Sequence, residues 1–171
     1  WSVNLFDCAT QTTLSQTPAV ASIGLAFAQD GSLLAFSRSK EVVVLDARTG
    51  SVRHVLEGHR TTARGLAFSP DGRSLASVGG DRRLIVWDTF GGTPRWSVIA
   101  HALGATDVAY APDGRTLATI GEDGVLRLWH AELQQLLLEI PLSFDPVAQV
   151  EFSPDGRRLL RRHKSGQGDD D

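Results

Sequence analysis

The chain contains no methionine, a single cysteine, and aromatic residues at only 7% of its length. Each scarcity excludes something. One cysteine cannot close an internal disulfide, so nothing demands an oxidising compartment and the cytoplasm is favoured. Cys8 itself reads as a small buried or half-buried filler rather than a reactive thiol. The lack of methionine extends to the first position, Trp1, so the sequence reads as a processed product or an excerpt of something longer. A missing leader at its front therefore excludes little. No apolar run approaches the length of a membrane span. Charge of one sign is scarce too: a net charge of −3 lacks the basic excess of a nucleic-acid binder. His54, His59, His101, His130 and His163 are scattered, with no His/Cys pair at ligand spacing, so neither a metal nor a cofactor is expected. No glycine-rich loop opens a helix to cradle phosphate.

What is present is a repeat. Asp-Gly recurs at Asp30-Gly31, Asp71-Gly72, Asp113-Gly114 and Asp155-Gly156, each a fixed distance after Phe27, Phe68, Tyr110 or Phe152. A second landmark, Leu45-Asp46, Trp87-Asp88 and Trp129-His130, keeps the same beat of about 42 residues. Phe6-Asp7 precedes the first of these. Between landmarks, "GLAFS", "RSLASV" and "RLIVWD" read as short strands separated by turn residues, and "SVRHVLEG" or "PRWSVIA" supplies a fourth. Pro-Asp-Gly suits a tight turn, because Asp bonds its own backbone and Gly accepts positive φ. Residues 132–140, "ELQQLLLEI", also carry helical spacing, but the repeat places an outer strand there. Four strands per unit is the pattern of a propeller blade.

Residues 58–88 pose a chemical question, because His59, Ser77 and Asp81 are the residue types of a hydrolytic triad. The set recurs as His101, Thr119 and Asp123, with Thr for Ser, and no Gly-x-Ser-x-Gly elbow surrounds Ser77. Gly58-His59, Ser77, Asp81 and Trp87-Asp88, followed by Ala100-His101, Thr119, Asp123 and Trp129-His130, resemble the WD-repeat β-propeller family. The "SPDG" turns at 69–72 and 153–156 resemble its bacterial members. The resemblance implies an all-β propeller of four-stranded antiparallel blades. It also implies two structural tetrads, His59, Ser77, Asp81, Trp87 and His101, Thr119, Asp123, Trp129, in which imidazole, hydroxyl and indole form a hydrogen-bond chain.

The other units are degenerate. Leu45 stands where Trp would, "SRSKE" (37–41) lacks the turn Asp, and "TPAVAS" lacks the His. In the last unit Ser143 and Arg161 stand where His and Ser/Thr belong, and Arg161 would direct charge into a blade interior. The expected organisation is a half blade at 1–18, blades at 19–58, 59–100 and 101–141, a half blade at 142–162 and a disordered polar tail at 163–171. Three whole blades and two halves suggest a fragment of a ring of about seven, with edges open to self-association.

By the resemblance, protein or peptide partners would meet the face bearing Thr62, Arg64, Gly80 and Arg82 on one blade and Gly104, Thr106, Glu122 and Gly124 on the next. The cluster Arg157, Arg158, Arg161, Arg162, His163 and Lys164 reads as a solvated end rather than a phosphate patch. The expected function is a non-catalytic scaffold, the sensor or docking part of a larger bacterial signalling protein. The alternative is a ligand-binding or enzymatic propeller with its site at the central channel. The inner strands offer that site only Asp107.

Overall fold

The computed structural model describes residues 2–18, 24–142 and 149–162, and among them every regular element is a strand. Strands β1 (Ser2–Asp7) and β2 (Thr12–Pro18) form a two-stranded sheet. Three four-stranded antiparallel meanders follow. Sheet one runs through β3 (Leu25–Phe27), β4 (Leu33–Arg38), β5 (Glu41–Asp46) and β6 (Val52–Glu57). Sheet two comprises β7 (Ala63–Phe68), β8 (Ser74–Gly79), β9 (Arg83–Asp88) and β10 (Pro94–Ile99). Sheet three comprises β11 (Ala105–Tyr110), β12 (Thr116–Gly121), β13 (Val125–His130) and β14 (Gln135–Pro141). A last pair joins β15 (Gln149–Phe152) to β16 (Leu159–Arg162). This is an all-β, propeller-like repeat fold.

Burial explains why the third strands read as unbroken apolar runs. Val42 to Leu45 and Leu84 to Trp87 are buried on both faces, because each sheet is sandwiched between neighbours. One face of sheet one and the Trp face of sheet two share a core of Val42, Val44, Leu56, Leu66, Leu75, Ile85 and Trp87. The opposite face of sheet two meets Val108, Leu117 and Trp129 of sheet three. Leu5 closes the other face of sheet one, and Val150 that of sheet three.

The first strands of successive sheets lie side by side, β3 against β7, β7 against β11 and β11 against β15. Their approach is close. A Cβ on Gly65 would sit 2.7 Å from the Asp107 Cα, and one on Gly24, at the equivalent position of sheet one, 2.7 Å from the Arg64 carbonyl oxygen. Only glycine allows the backbones to come so near.

Four of the five sheets turn their outer corner with a β-bulge at one repeat position. Leu14, Arg53, Arg95 and Leu137 are the extra residues, opposite the Leu5/Phe6, Val44/Leu45, Val86/Trp87 and Leu128/Trp129 pairs. The following turn is tied by Asp7, Asp46 and Asp88, whose Oδ1 atoms each accept two backbone N–H groups. In sheet three His130 takes over, its Nδ1 accepting from the Glu132 and Leu133 N–H groups at 3.3 and 3.2 Å.

Residues 135–141 form the strand β14 and not a helix, and every residue along it is exposed. One expectation is corrected. Cys8 is exposed, not buried or half-buried, because it lies in the turn between β1 and β2 rather than on a strand face. The tail at 163–171, Ser143, and part of the "TPAVAS" loop lie outside the described residues.

Candidate functional site

Local structure delivers the polar residues of sheet two to one buried point. His59 comes from the loop ahead of β7, Ser77 from β8, Asp81 from the β8–β9 turn and Trp87 from β9. The Asp81 carboxylate can only accept, so the His59 Nδ1 carries the proton it donates to Oδ1 over 3.0 Å. Nε2 is left as an acceptor for the Ser77 hydroxyl, at 2.7 Å. The Ser77 oxygen in turn accepts the Trp87 indole N–H at 2.8 Å. Asp81 also takes the backbone N–H of Arg60 at 2.8 Å and of Arg83 at 3.3 Å. Burial pushes the Asp81 carboxyl up, but the hydrogen bonds from His59 and Arg60 outweigh it and hold the group below its usual value.

Sheet three repeats the arrangement. His101 reaches Asp123 at 2.9 Å and Thr119 at 2.9 Å, and the Trp129 indole donates to the Thr119 oxygen at 2.9 Å. The Ala102 N–H donates to Asp123 as that of Arg60 does to Asp81. An addition appears here that sequence reasoning missed. Arg127, where sheet two has Ile85, donates from Nη1 to Asp123 at 2.8 Å and from Nε to Glu139 at 2.6 Å, with Nη1 also 2.8 Å from the His101 Nδ1. The signal was available, since "VLRLWH" breaks with a cation the apolar run kept by "RLIVWD". Burial lowers the His101 pKa, and the Arg127 charge adds to the fall against the pull of Asp123. Burial would raise Asp123, yet the Ala102 N–H, Arg127 and His101 bring it down to about 2.

Sheet one replaces the polar chain with apolar packing. Phe36, paired with Val43 as Ser77 is with Ile85, fills the hydroxyl position beside Leu45 in the indole position. Arg161 pairs with Val150 as Thr119 does with Val108, and is half-buried with its Nε shielded from solvent.

The eight face residues separate into two groups. Arg64 on β7 reaches across to sheet three, where its Nη1 lies 2.6 Å from the Glu122 Oε1, and Glu122 also accepts the Gly104 N–H at 3.2 Å. Gly80 lies against Arg64, since a Cβ there would meet Nη2 at 3.3 Å. Arg64 and Thr106 are the bulged residues of β7 and β11, so the bulge aims each away from its ladder. Thr106 donates to the Ile120 carbonyl at 3.1 Å. Thr62 is half-buried and Arg82 exposed. Gly104 and Gly124 are buried, Gly104 beneath the Glu122 carboxylate, which keeps both from direct contact.

Asp107 on β11 accepts the Val150 N–H at 3.0 Å, and burial raises its pKa. Its carboxylate joins two inner strands. It borders an open groove of about 870 Å³ lined by Phe27, Phe68, Tyr110 and Phe152. Among the described residues no group of His, Cys, Asp and Glu could hold a metal ion, and no helix is long and apolar enough to cross a membrane.

Residues 50–88 and 92–130 match the family "WD domain, G-beta repeat". Each match supplies the fourth strand of one sheet and the first three of the next, so the sequence repeat staples neighbouring sheets together. An uncharacterized WD repeat-containing protein of Synechocystis sp. is 37% identical over 83 residues. That match covers 47% of this chain and 24% of the relative, so the chain aligns with about a quarter of that protein. Residues 50–88 and 92–130 are thus two WD repeats in register with the sheets, and they support a WD-repeat reading of the chain.

Proposed function

We propose that the chain is a non-catalytic scaffold whose blades present the Thr62, Arg64, Gly80, Arg82, Thr106 and Glu122 face to protein partners. WD repeats generally mediate protein–protein contacts and generally work as non-catalytic scaffolds. The observation that carries the reading here is the state of the Ser77 hydroxyl. It is fully buried, with its proton directed at the His59 Nε2 and its oxygen accepting the Trp87 indole N–H, so the closed packing leaves a substrate no approach to it. The two tetrads are, on this reading, fasteners that tie the loop ahead of each first strand to the blade behind it. The blades run over 19–58, 59–100 and 101–141, with half blades at 1–18 and 142–162. They belong to a ring of about seven within a larger bacterial signalling protein, in which this part senses or docks.

The test is placement. A photo-crosslinking residue at Thr62 should trap protein partners in the source cell, whereas the same group at Asp71, in the turn at the other end of β7, should not. Equal trapping at both ends, or none at Thr62, contradicts the face assignment. A serine-directed fluorophosphonate that labels Ser77 in the folded chain contradicts the non-catalytic reading.

A further inference from the structure

Cations on this face are concentrated on one blade. Arg60, Arg64, Arg82 and Arg83 surround the β8–β9 turn of sheet two, and the equivalents of Arg60 and Arg82 in sheet three are Ala102 and Gly124. The carboxylates that face them are few. Glu122 is engaged by Arg64 at 2.6 Å. Asp81 is buried and turned toward His59. Glu41, in the neighbouring turn of sheet one, is held by Arg38 at 2.7 Å. Glu57, at the end of β6, lines a small pocket together with Lys40. Arg83 is directed to the Ser97 hydroxyl at 3.0 Å. That leaves Arg60 and Arg82, both exposed and neither in an ion pair among the described residues.

Two further observations set this pair apart from ordinary surface charge. First, both main chains are held at one turn: Asp81 accepts the Arg60 N–H at 2.8 Å, and the Arg82 N–H next to it in sequence donates to the Gly79 carbonyl at 3.1 Å. The Arg82 carbonyl is also held, by the Ala100 and His101 N–H groups at 2.8 and 3.2 Å. Second, Arg82 has a φ of 70°, in the region that favours glycine, where Gly124 has 68°. An arginine thus stands in a backbone position that the neighbouring blade fills with glycine, as Gln11, Ser39 and Gln134 stand at positive φ in other turns.

We infer that Arg60 and Arg82, neighbours at the β8–β9 turn, form a receptor for an acidic peptide segment of a protein partner, with clustered carboxylates meeting the two guanidinium groups. Charge complementarity selects this occupant. Guanidinium forks match carboxylates in a bidentate manner. The chain's net charge of −3 disfavours an extended polyanion such as a nucleic acid, whereas a short acidic segment meets only the local positive turn. The inference rests on the proposed docking face and names the chemistry of what docks there.

The test uses the whole chain and three fluorescent probes: a peptide of about eight glutamates, its glutamine counterpart, and an oligothymidylate of equal charge. The double variant Arg60→Ala, Arg82→Gly copies the residues that sheet three carries at these positions, so its unfolding midpoint should be at or above that of the wild type. The glutamate peptide should bind the wild-type chain, weaken as salt rises, and bind the double variant at least about tenfold more weakly. The glutamine peptide should bind the wild type at least about tenfold more weakly than the glutamate peptide. Undiminished binding by the double variant, absent binding of the glutamate peptide, or equal binding of the oligonucleotide overturns the inference. Crosslinking at Thr62 that persists in the double variant would show the docking face surviving without this acidic specificity.

Discussion

At the scale of single residues, the tetrad of sheet three answers pH. His101 has a folded pKa below its ordinary 6.5 because burial, helped by Arg127, disfavours the imidazolium. Below pH 6.5 the unfolded chain takes up a proton that the folded chain refuses, so stability is full above that value and declines as pH falls toward the folded pKa. Asp123 adds a second step of the same sign. Its stabilisation is complete above about 3.8 and is lost as pH falls through about 2, worth on the order of 2 kcal/mol. Urea midpoints measured from pH 8 to pH 3 should therefore fall with acidification. Replacing Arg127 by Ala removes the cation opposing the His101 charge, so the first decline should shift to lower stability loss per pH unit. A midpoint that rises between pH 6.5 and pH 5 would contradict the assignment.

At the scale of elements, the outer corners show one solution reached with different residues. Asp7, Asp46 and Asp88 tie the turn with carboxylates, while His130 does so with a ring nitrogen at longer distances. Replacing His130 by Asp should raise the stability of the chain by about 0.5–1 kcal/mol, read as a higher denaturant midpoint. An unchanged midpoint would mean that the turn is held by other contacts.

This is also the scale at which the sequence was most legible. Asp-Gly turns and Trp-Asp corners are short-range chemistry, so a periodic scan finds them, and they placed β4, β5, β8, β9, β12 and β13. The bulged residues Leu14, Arg53, Arg95 and Leu137 are two leucines and two arginines, with no single side-chain type marking the position, because a bulge is a property of the ladder. Leu45 could be seen as a missing tryptophan. That Phe36 replaces the hydroxyl beside it could not, since the turn of sheet one is shorter and shifts the count. Arg127 and its bonds to Asp123 and Glu139 join residues on adjacent strands, a relation that depends on register. Cys8 was misplaced because a lone cysteine carries no positional signal of its own.

At the scale of the whole molecule, the sheets are held together by close approach of the inner strands and by apolar faces between blades. Gly65→Ala should test the first directly. The new methyl would meet the Asp107 Cα at 2.7 Å and the Val108 backbone nitrogen at 2.9 Å, atoms that move only if β11 moves. A loss of about 1–3 kcal/mol is expected, as for overpacking of a dense interior. A neutral result would show that the inner strands have slack. Across a blade boundary, Trp96 donates to the Ala131 carbonyl at 2.8 Å and Gln134 to the Ser97 carbonyl at 3.1 Å, so polar groups reinforce the apolar contact at the rim.

The central claim is that hydroxyl, imidazole and indole inside sheets two and three act as a closed chain of bonds. Hydrogen exchange of the Trp87 and Trp129 indole N–H groups, followed by NMR, tests it most directly. The account predicts that both exchange only on global unfolding, and that Ser77→Ala accelerates Trp87 alone while lowering stability by about 1–2 kcal/mol. Rapid exchange of Trp87 in the native chain, or exchange indifferent to loss of the Ser77 hydroxyl, would contradict it.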